Sequence, residues 1–430
     1  MLSTKFDQIR WEQPITALME RGRASLERLI KSTGNQARFT IDQTQACLEL
    51  QMKTGGFHRF MLAFADRPDF LAEMADQLIA HSQVDEMISQ LSSVMATIHS
   101  TDPAAFRLRA LSALEAGAVQ VIHASANNLR VFEGANEQDV AIIQAYGGYP
   151  DPVAKRGAIH AIAYMGKFTE LRQSLKEAAL SIHAEGDRVI ASDLVDAFGA
   201  YGVPLTSLTL DEAASVTAEF LTVDDWEFDQ EAIPRFLGSF VHLFPNETYN
   251  LLLGRIERAI QARAVGKYSF HVFGRDQISF GGLPADKRTQ LGRDCITRLV
   301  SQESTEEFAE LFWMVAGYDD AALNLILEIA PTLNNQGVRN LAVLIDKSIP
   351  NLAFTNPGFA KDLIRSFTSD QRQLIVDALA YQASHFGTGV YVGLPGEYMA
   401  NQQQRFRDGM AAFPEEAGFE DLARALRRFT

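Results

Sequence analysis

Apolar residues recur at steps of three and four along most of this chain, the spacing that gathers them on one side of an α-helix. Val84, Met87, Ile88, Leu91, Val94, Met95 and Ile98 form the clearest series. Phe308, Leu311, Phe312 and Val315 follow the same arithmetic, as do Val338, Leu341, Ala342 and Ile345. The alternation of a half-buried strand is scarce, so the pattern predicts an all-α protein. Punctuation supports this reading. Thr209-x-x-Glu212 and Ser304-x-x-Glu307 have the form of capping boxes, in which a hydroxyl and a carboxylate satisfy N–H groups left orphaned at a helix start. Gly55-Gly56, Gly147-Gly148 and Gly281-Gly282 are expected to end helices.

One phrase occurs twice: Asp102-Pro103 and Asp151-Pro152 stand 49 residues apart. Each joins a capping carboxylate to a residue preorganised for the first helical position. Asn356-Pro357 is a further start of this kind. A 49-residue period lies just above the roughly 40 to 47 residues of HEAT and armadillo units. The expected architecture is therefore a HEAT/armadillo-like α-solenoid of stacked helical hairpins, in which each pair of helices covers the apolar flank of the next. Three regions are expected: an N-terminal helical region at 1–100, HEAT-like repeats at 101–265, and a C-terminal helical-repeat region with Gly-rich loops at 266–430. The second boundary follows a loss of helical period, where Tyr268, Phe270, Val272 and Phe273 mix with Gly274, Gly281 and Gly282. A loop or short hairpin is expected there, without a Pro/Ser-rich linker between the halves.

Composition narrows the function classes. With 430 residues, 47% apolar and 22% charged, the chain can build a large core. A net charge of −15 opposes reliance on many phosphate contacts, so nucleic acid is not an expected partner. Cys47 and Cys295 form no Cys-x-x-Cys pair, which fits a reducing cytoplasm. Lys5, Asp7, Arg10 and Glu12 interrupt any signal-like apolar run. The charge-free stretch 378–396 contains Gly387, Gly389, Gly393, Pro395 and Gly396, which break a spanning helix. The expected location is cytoplasmic, with no membrane segment.

Gly166-Lys167 and Gly266-Lys267 lack the upstream glycine of a P-loop and are followed by Phe168 and Tyr268 instead of Ser or Thr, so they are expected to be helix ends. His183-Ala184-Glu185 lacks the Pro-Cys-x-x-Cys that would complete a deaminase zinc site and also reads as a helix end. Neither Gly-x-Ser-x-Gly nor Ser-x-x-Lys occurs. Asp224-Asp225, Asp319-Asp320 and Glu415-Glu416 are adjacent carboxylates that diverge on a helix, so solvated turns or helix starts are expected. No catalytic residue, metal ligand or cofactor is assigned. The aromatic series Phe220, Trp226, Phe228, Phe236, Phe240, Phe244 and Tyr249 is expected to be packing. The candidate partner-binding residues are Tyr391, Tyr398, Arg405 and Arg407, displayed around a Gly-rich break in the helical pattern.

From about Tyr268 onward the chain resembles the C-terminal helical-repeat region of bacterial STAND-type ATPases. The resemblance rests on Glu310-Leu311-Phe312-Trp313, on Tyr318-Asp319-Asp320-Ala321-Ala322-Leu323 and on the run from Leu344 to Phe354. Pro357-Gly358-Phe359, Gly393-Leu394-Pro395-Gly396-Glu397-Tyr398, Phe406-Arg407-Asp408 and a closing helix through Leu422 and Leu426 extend it. Such proteins sense a trigger and release an effector, many of them in antiphage defence. The resemblance implies a non-catalytic sensor or docking module whose partner is another protein: an ATPase or effector subunit, or a phage protein. The chain opens at Met1 without an ATPase or effector domain, which leaves a separately encoded subunit and a free-standing scaffold both open. The rival reading is a helical-repeat enzyme with a site assembled from dispersed residues, acting on nucleic acid. A positively charged groove lined by Arg255, Arg258, Arg263 and Lys267 would favour it, whereas a helix with a solvated basic side predicts none.

Overall fold

The computed structural model describes residues 68–80, 85–131, 134–199, 202–226, 228–266, 272–273, 278–301, 306–348, 352–384, 413 and 419–427. Among the described residues every regular element is a helix and none is a strand, in line with the apolar periodicity. Contacts divide the chain into two units, Met1–Glu219 and Phe220–Thr430.

In the first unit the helices are α1 (Pro68–Ala80), α2 (Asp85–Thr101), α3 (Pro103–Ala116), α4 (Val119–Ala126), α5 (Glu137–Gly147), α6 (Pro152–Met165), α7 (Arg172–Leu180) and α8 (Arg188–Ala197). A ninth, α9 (Leu210–Leu221), contains the point of division. Partners are second neighbours along the chain. In one row α3 packs on α5 and α5 on α7, and in the other α2 packs on α4, α4 on α6 and α6 on α8. Each row also touches the other, through α1 on α2, α3 on α4 and α5 on α6. Helices start at 68, 103, 137 and 172 in the first row and at 85, 119, 152 and 188 in the second, giving steps of 33 to 36 residues.

This step corrects the period read from the twin phrases. Both phrases do start helices: the Asp102 carboxylate accepts from the Ala105 N–H, and the Asp151 carboxylate accepts from those of Val153 and Ala154. The helices they start, α3 and α6, lie in different rows, so the 49 residues between them cross from one row to the other. The structural step is shorter than the roughly 40 residues of a HEAT unit.

Burial follows the predicted stripes. Leu91, Val94, Met95 and Ile98 of α2 are buried. The rows approach closely where side chains are smallest. A Cβ on Gly157 of α6 would lie 2.6 Å from both the Cβ and the carbonyl oxygen of Ala126, at the end of α4. The expected box at Thr209 forms, with the Thr209 N–H donating to Glu212 Oε2 at 2.7 Å and the Glu212 N–H to Thr209 Oγ1 at 3.2 Å. Gly147 and Gly148 close α5. Gly281 and Gly282 instead sit in the turn that leads into a helix, and Ser304, Gly55 and Gly56 lie outside the described residues.

The second unit contains α10 (Phe228–Phe240), α11 (Pro245–Ala264), α12 (Ala285–Ser301), α13 (Glu306–Ala316), α14 (Asp320–Ile329), α15 (Asn335–Asp346), α16 (Leu352–Thr355), α17 (Pro357–Arg365), α18 (Ser369–Ser384) and α19 (Glu420–Arg427). Second-neighbour packing recurs, with α11 on α13, α13 on α15, and α12 on α14. Phe308, Leu311, Phe312 and Val315 are buried in α13, and Val338, Leu341 and Ile345 in α15. The aromatic series is packing: Phe236 lies 5.5 Å from Phe220 and 5.3 Å from Phe240, and Phe240 lies 4.8 Å from Phe244. Helices on either side of residue 101 pack together, α2 on α3, and so do helices on either side of residue 266, α11 on α13.

Candidate functional site

Tyr391, Tyr398, Arg405 and Arg407 lie outside the described residues, as do Glu415 and Glu416. The other sequence candidates have definite places. Arg255 is fully buried and spends its guanidinium on backbone oxygens, donating to the carbonyls of Val272, Val223 and Asp224 while stacked 3.7 Å from the centre of the Trp226 ring. Burial draws its pKa down to about 9, which leaves it protonated at neutral pH. Arg258 donates to the Leu221 carbonyl and to Asp224 Oδ1, and Arg263 pairs with Glu307 at 2.6 Å. These three arginines therefore tie helices and connections together. Lys267 lies outside the described residues.

The remaining motifs are structural. His183 Nδ1 meets Glu219 at 2.8 Å, and Glu185 meets the ammonium of Lys155 at 3.0 Å, in the connection after α7. Asp319 caps α14 through the Ala322 N–H and pairs with Arg288. Gly166 caps α6, and Gly266 follows α11 with a positive φ of 71°. Among the described residues no group of three or more His, Cys, Asp or Glu is arranged to hold a metal ion, and no helix is long and apolar enough to cross a membrane.

Among the described residues of the first unit, a cleft of about 740 Å³ lies between the C-terminal half of α2, the start of α3, the connection after α4 and the first turn of α5. Ser92, Ser93, Ala96 and Ser100 of α2 line it with small side chains that leave the space unfilled. Across from them the Asn128 amide nitrogen donates to the Ser92 carbonyl at 3.0 Å and the Ala124 carbonyl at 2.7 Å, which fixes the connection against α2. His99 stacks on Phe106 with ring centres 4.1 Å apart. Its pKa is held below 6.5 chiefly by burial, against the opposing effects of a hydrogen bond to the Asn128 backbone and the charge of Asp139.

Charge in the cleft is unevenly satisfied. Asp139 receives Arg107 Nε on Oδ1 at 2.8 Å, and Arg107 Nη2 and the Asn136 N–H on Oδ2 at 3.1 and 3.0 Å. The Asn136 contact belongs to a capping box at the start of α5, so one carboxylate both begins a helix and anchors an arginine. Arg107 Nη1 donates to Gln138 at 3.0 Å. Arg130 is exposed in the cleft lining and makes no side-chain hydrogen bond or ion pair among the described residues. Sequence reading missed this site because its residues come from four elements and none forms a motif. The available signal was local: Ser92-Ser93, Ala96 and Ser100 put small residues beside an otherwise bulky apolar stripe.

Comparison with protein-family models, with curated proteins and with solved structures finds no match for this chain.

Proposed function

We propose that this protein is a non-catalytic recognition scaffold: an α-solenoid of stacked helical hairpins that binds another protein, acting as a sensor or docking module of a cytoplasmic antiphage defence system. The observation that carries the reading is the regular two-row packing of residues 68–197, in steps of 33 to 36 residues. Regular hairpin packing of this kind extends by repetition and presents long helix faces, which suit a macromolecular partner. Several of its polar side chains join neighbouring helices, as in Arg109 to Asp76, Arg156 to Asp193 and Lys176 to Glu212. The resemblance of the second half to STAND-type repeat regions supplies the defence context and the protein nature of the partner.

Two surfaces are proposed as contacts. One is the outer face of α3, where Leu108 is 69% and Leu111 39% exposed one helical turn apart, with Val119 45% exposed at the start of α4. Grouped exposed apolar residues are a recognised mark of protein–protein contact. The other is the Gly-rich segment carrying Tyr391, Tyr398, Arg405 and Arg407. The test is co-purification of the full chain with untagged cellular or phage-encoded proteins. A stoichiometric partner is expected, with affinity reduced about 30-fold or more by Leu108→Asp or by Tyr398→Ala if either residue anchors the contact. Turnover of a substrate by the purified protein, abolished by one point substitution that leaves folding intact, would sink the scaffold reading.

A further inference from the structure

We infer that the cleft between α2, α3 and the connection after α4 is a binding site for a small anionic molecule, held through a phosphomonoester or carboxylate group by Arg130 and Arg107. This goes beyond the scaffold reading, which requires no small ligand. Size is the first consideration: about 740 Å³ matches the roughly 300 to 1,000 Å³ of small-molecule sites and far exceeds a few waters. Sign is the second. Two guanidinium groups line the cleft, and the carboxylate of Asp139 is already occupied by Arg107 and by the Asn136 N–H. Arg107 uses three of its five N–H groups on Asp139 and Gln138, so two donors remain on a side chain whose position is fixed. Arg130 spends none of its donors among the described residues, and a guanidinium fork matches the oxygens of phosphate and carboxylate.

The rest of the lining suits the body of such a ligand. Pro103, Val131 and Ala96 supply apolar surface. The Asn128 amide nitrogen is taken up by α2 and α4, which leaves its oxygen as an acceptor facing a site already rich in donors. A net positive cleft in a chain of net charge −15 is electrostatically conspicuous, because its field focuses an anion locally against a repulsive background.

The experiment is isothermal titration of the full-length protein with AMP and, separately, with citrate, in sodium chloride buffer. Binding of one of these with 1:1 stoichiometry is expected, weakened at least tenfold in Arg130→Ala. Ala96→Leu places a larger side chain on the cleft floor and is expected to abolish binding. Both positions touch open space, and unchanged thermal unfolding of each variant, read by circular dichroism, accompanies the expected result. No heat of binding with either probe up to about 5 mM, or equal affinity in Arg130→Ala, overturns the assignment. Tighter binding of a single-stranded RNA 12-mer than of AMP, falling steeply with salt, overturns it in favour of a polynucleotide.

Discussion

His99 shows how a single side chain couples the cleft to pH. Burial disfavours its charged form, so the folded chain releases the imidazole proton more readily than the unfolded chain, whose histidine titrates near 6.5. The sign follows from linkage. Between the ordinary value and the lowered one the unfolded state binds more protons, so the contribution of His99 is complete above pH 6.5 and is lost as pH falls through the lowered value. The melting temperature of the wild type is expected to drop on going from pH 7 to pH 5. His99→Phe keeps an aromatic ring over Phe106 and should flatten that slope, as measured by calorimetry across the same range. An equal slope in the variant would assign the pH dependence to other groups. Asp151 continues the loss at lower pH: burial raises its pKa, but the hydrogen bonds from His123 and from the N–H groups of Ala154 and Val153 outweigh this and leave it depressed.

Packing between elements inverts one expectation drawn from propensity. Gly157 stands in the interior of α6, where alanine is intrinsically favoured by about 1 kcal/mol. The backbone of Ala126 occupies the space that the new methyl would need, 2.6 Å from the carbonyl oxygen. Backbone has no alternative rotamer, so α4 and α6 must separate. Gly157→Ala is expected to destabilise the protein by about 2 kcal/mol in urea denaturation despite its better propensity. A stabilised variant would show that the two helices can shift apart without loss. Legibility divides along the same line. Stripes such as Leu91, Val94, Met95 and Ile98, and the box at Thr209, could be read because spacing and capping are local rules. The partner of each helix could not, since the twin Asp-Pro starts repeat capping chemistry and not position in the stack. The cleft was equally hidden, because Arg107, Arg130 and Asp139 converge only once second-neighbour packing sets α3 on α5 and α2 on α4.

Across the molecule, side chains that join one helix or connection to another mostly reach about one step along the chain. Arg107 to Asp139 spans 32 residues, Arg293 to Glu328 spans 35 and Gln382 to Ser348 spans 34. Each unit is thus held by many links of similar reach, and no single link between distant segments dominates. Arg255 is different in kind, because it fastens the segment at Val223 and Asp224 and the backbone at Val272 with one guanidinium. Arg255→Met leaves three carbonyls without this donor, at about 1 to 3 kcal/mol for each that stays buried and unpaired. Trypsin, which cuts after lysine and arginine, should then find Arg235, downstream of Asp224, and Arg288, beyond Val272, as fresh sites appearing at the same rate. Intact protein is expected to resist at these positions together, and staggered cleavage would show that the two stretches open independently. One inherited change at this arginine would thereby expose two separate parts of the chain to the cell's proteases, making its codon a point where quality control reaches both at once.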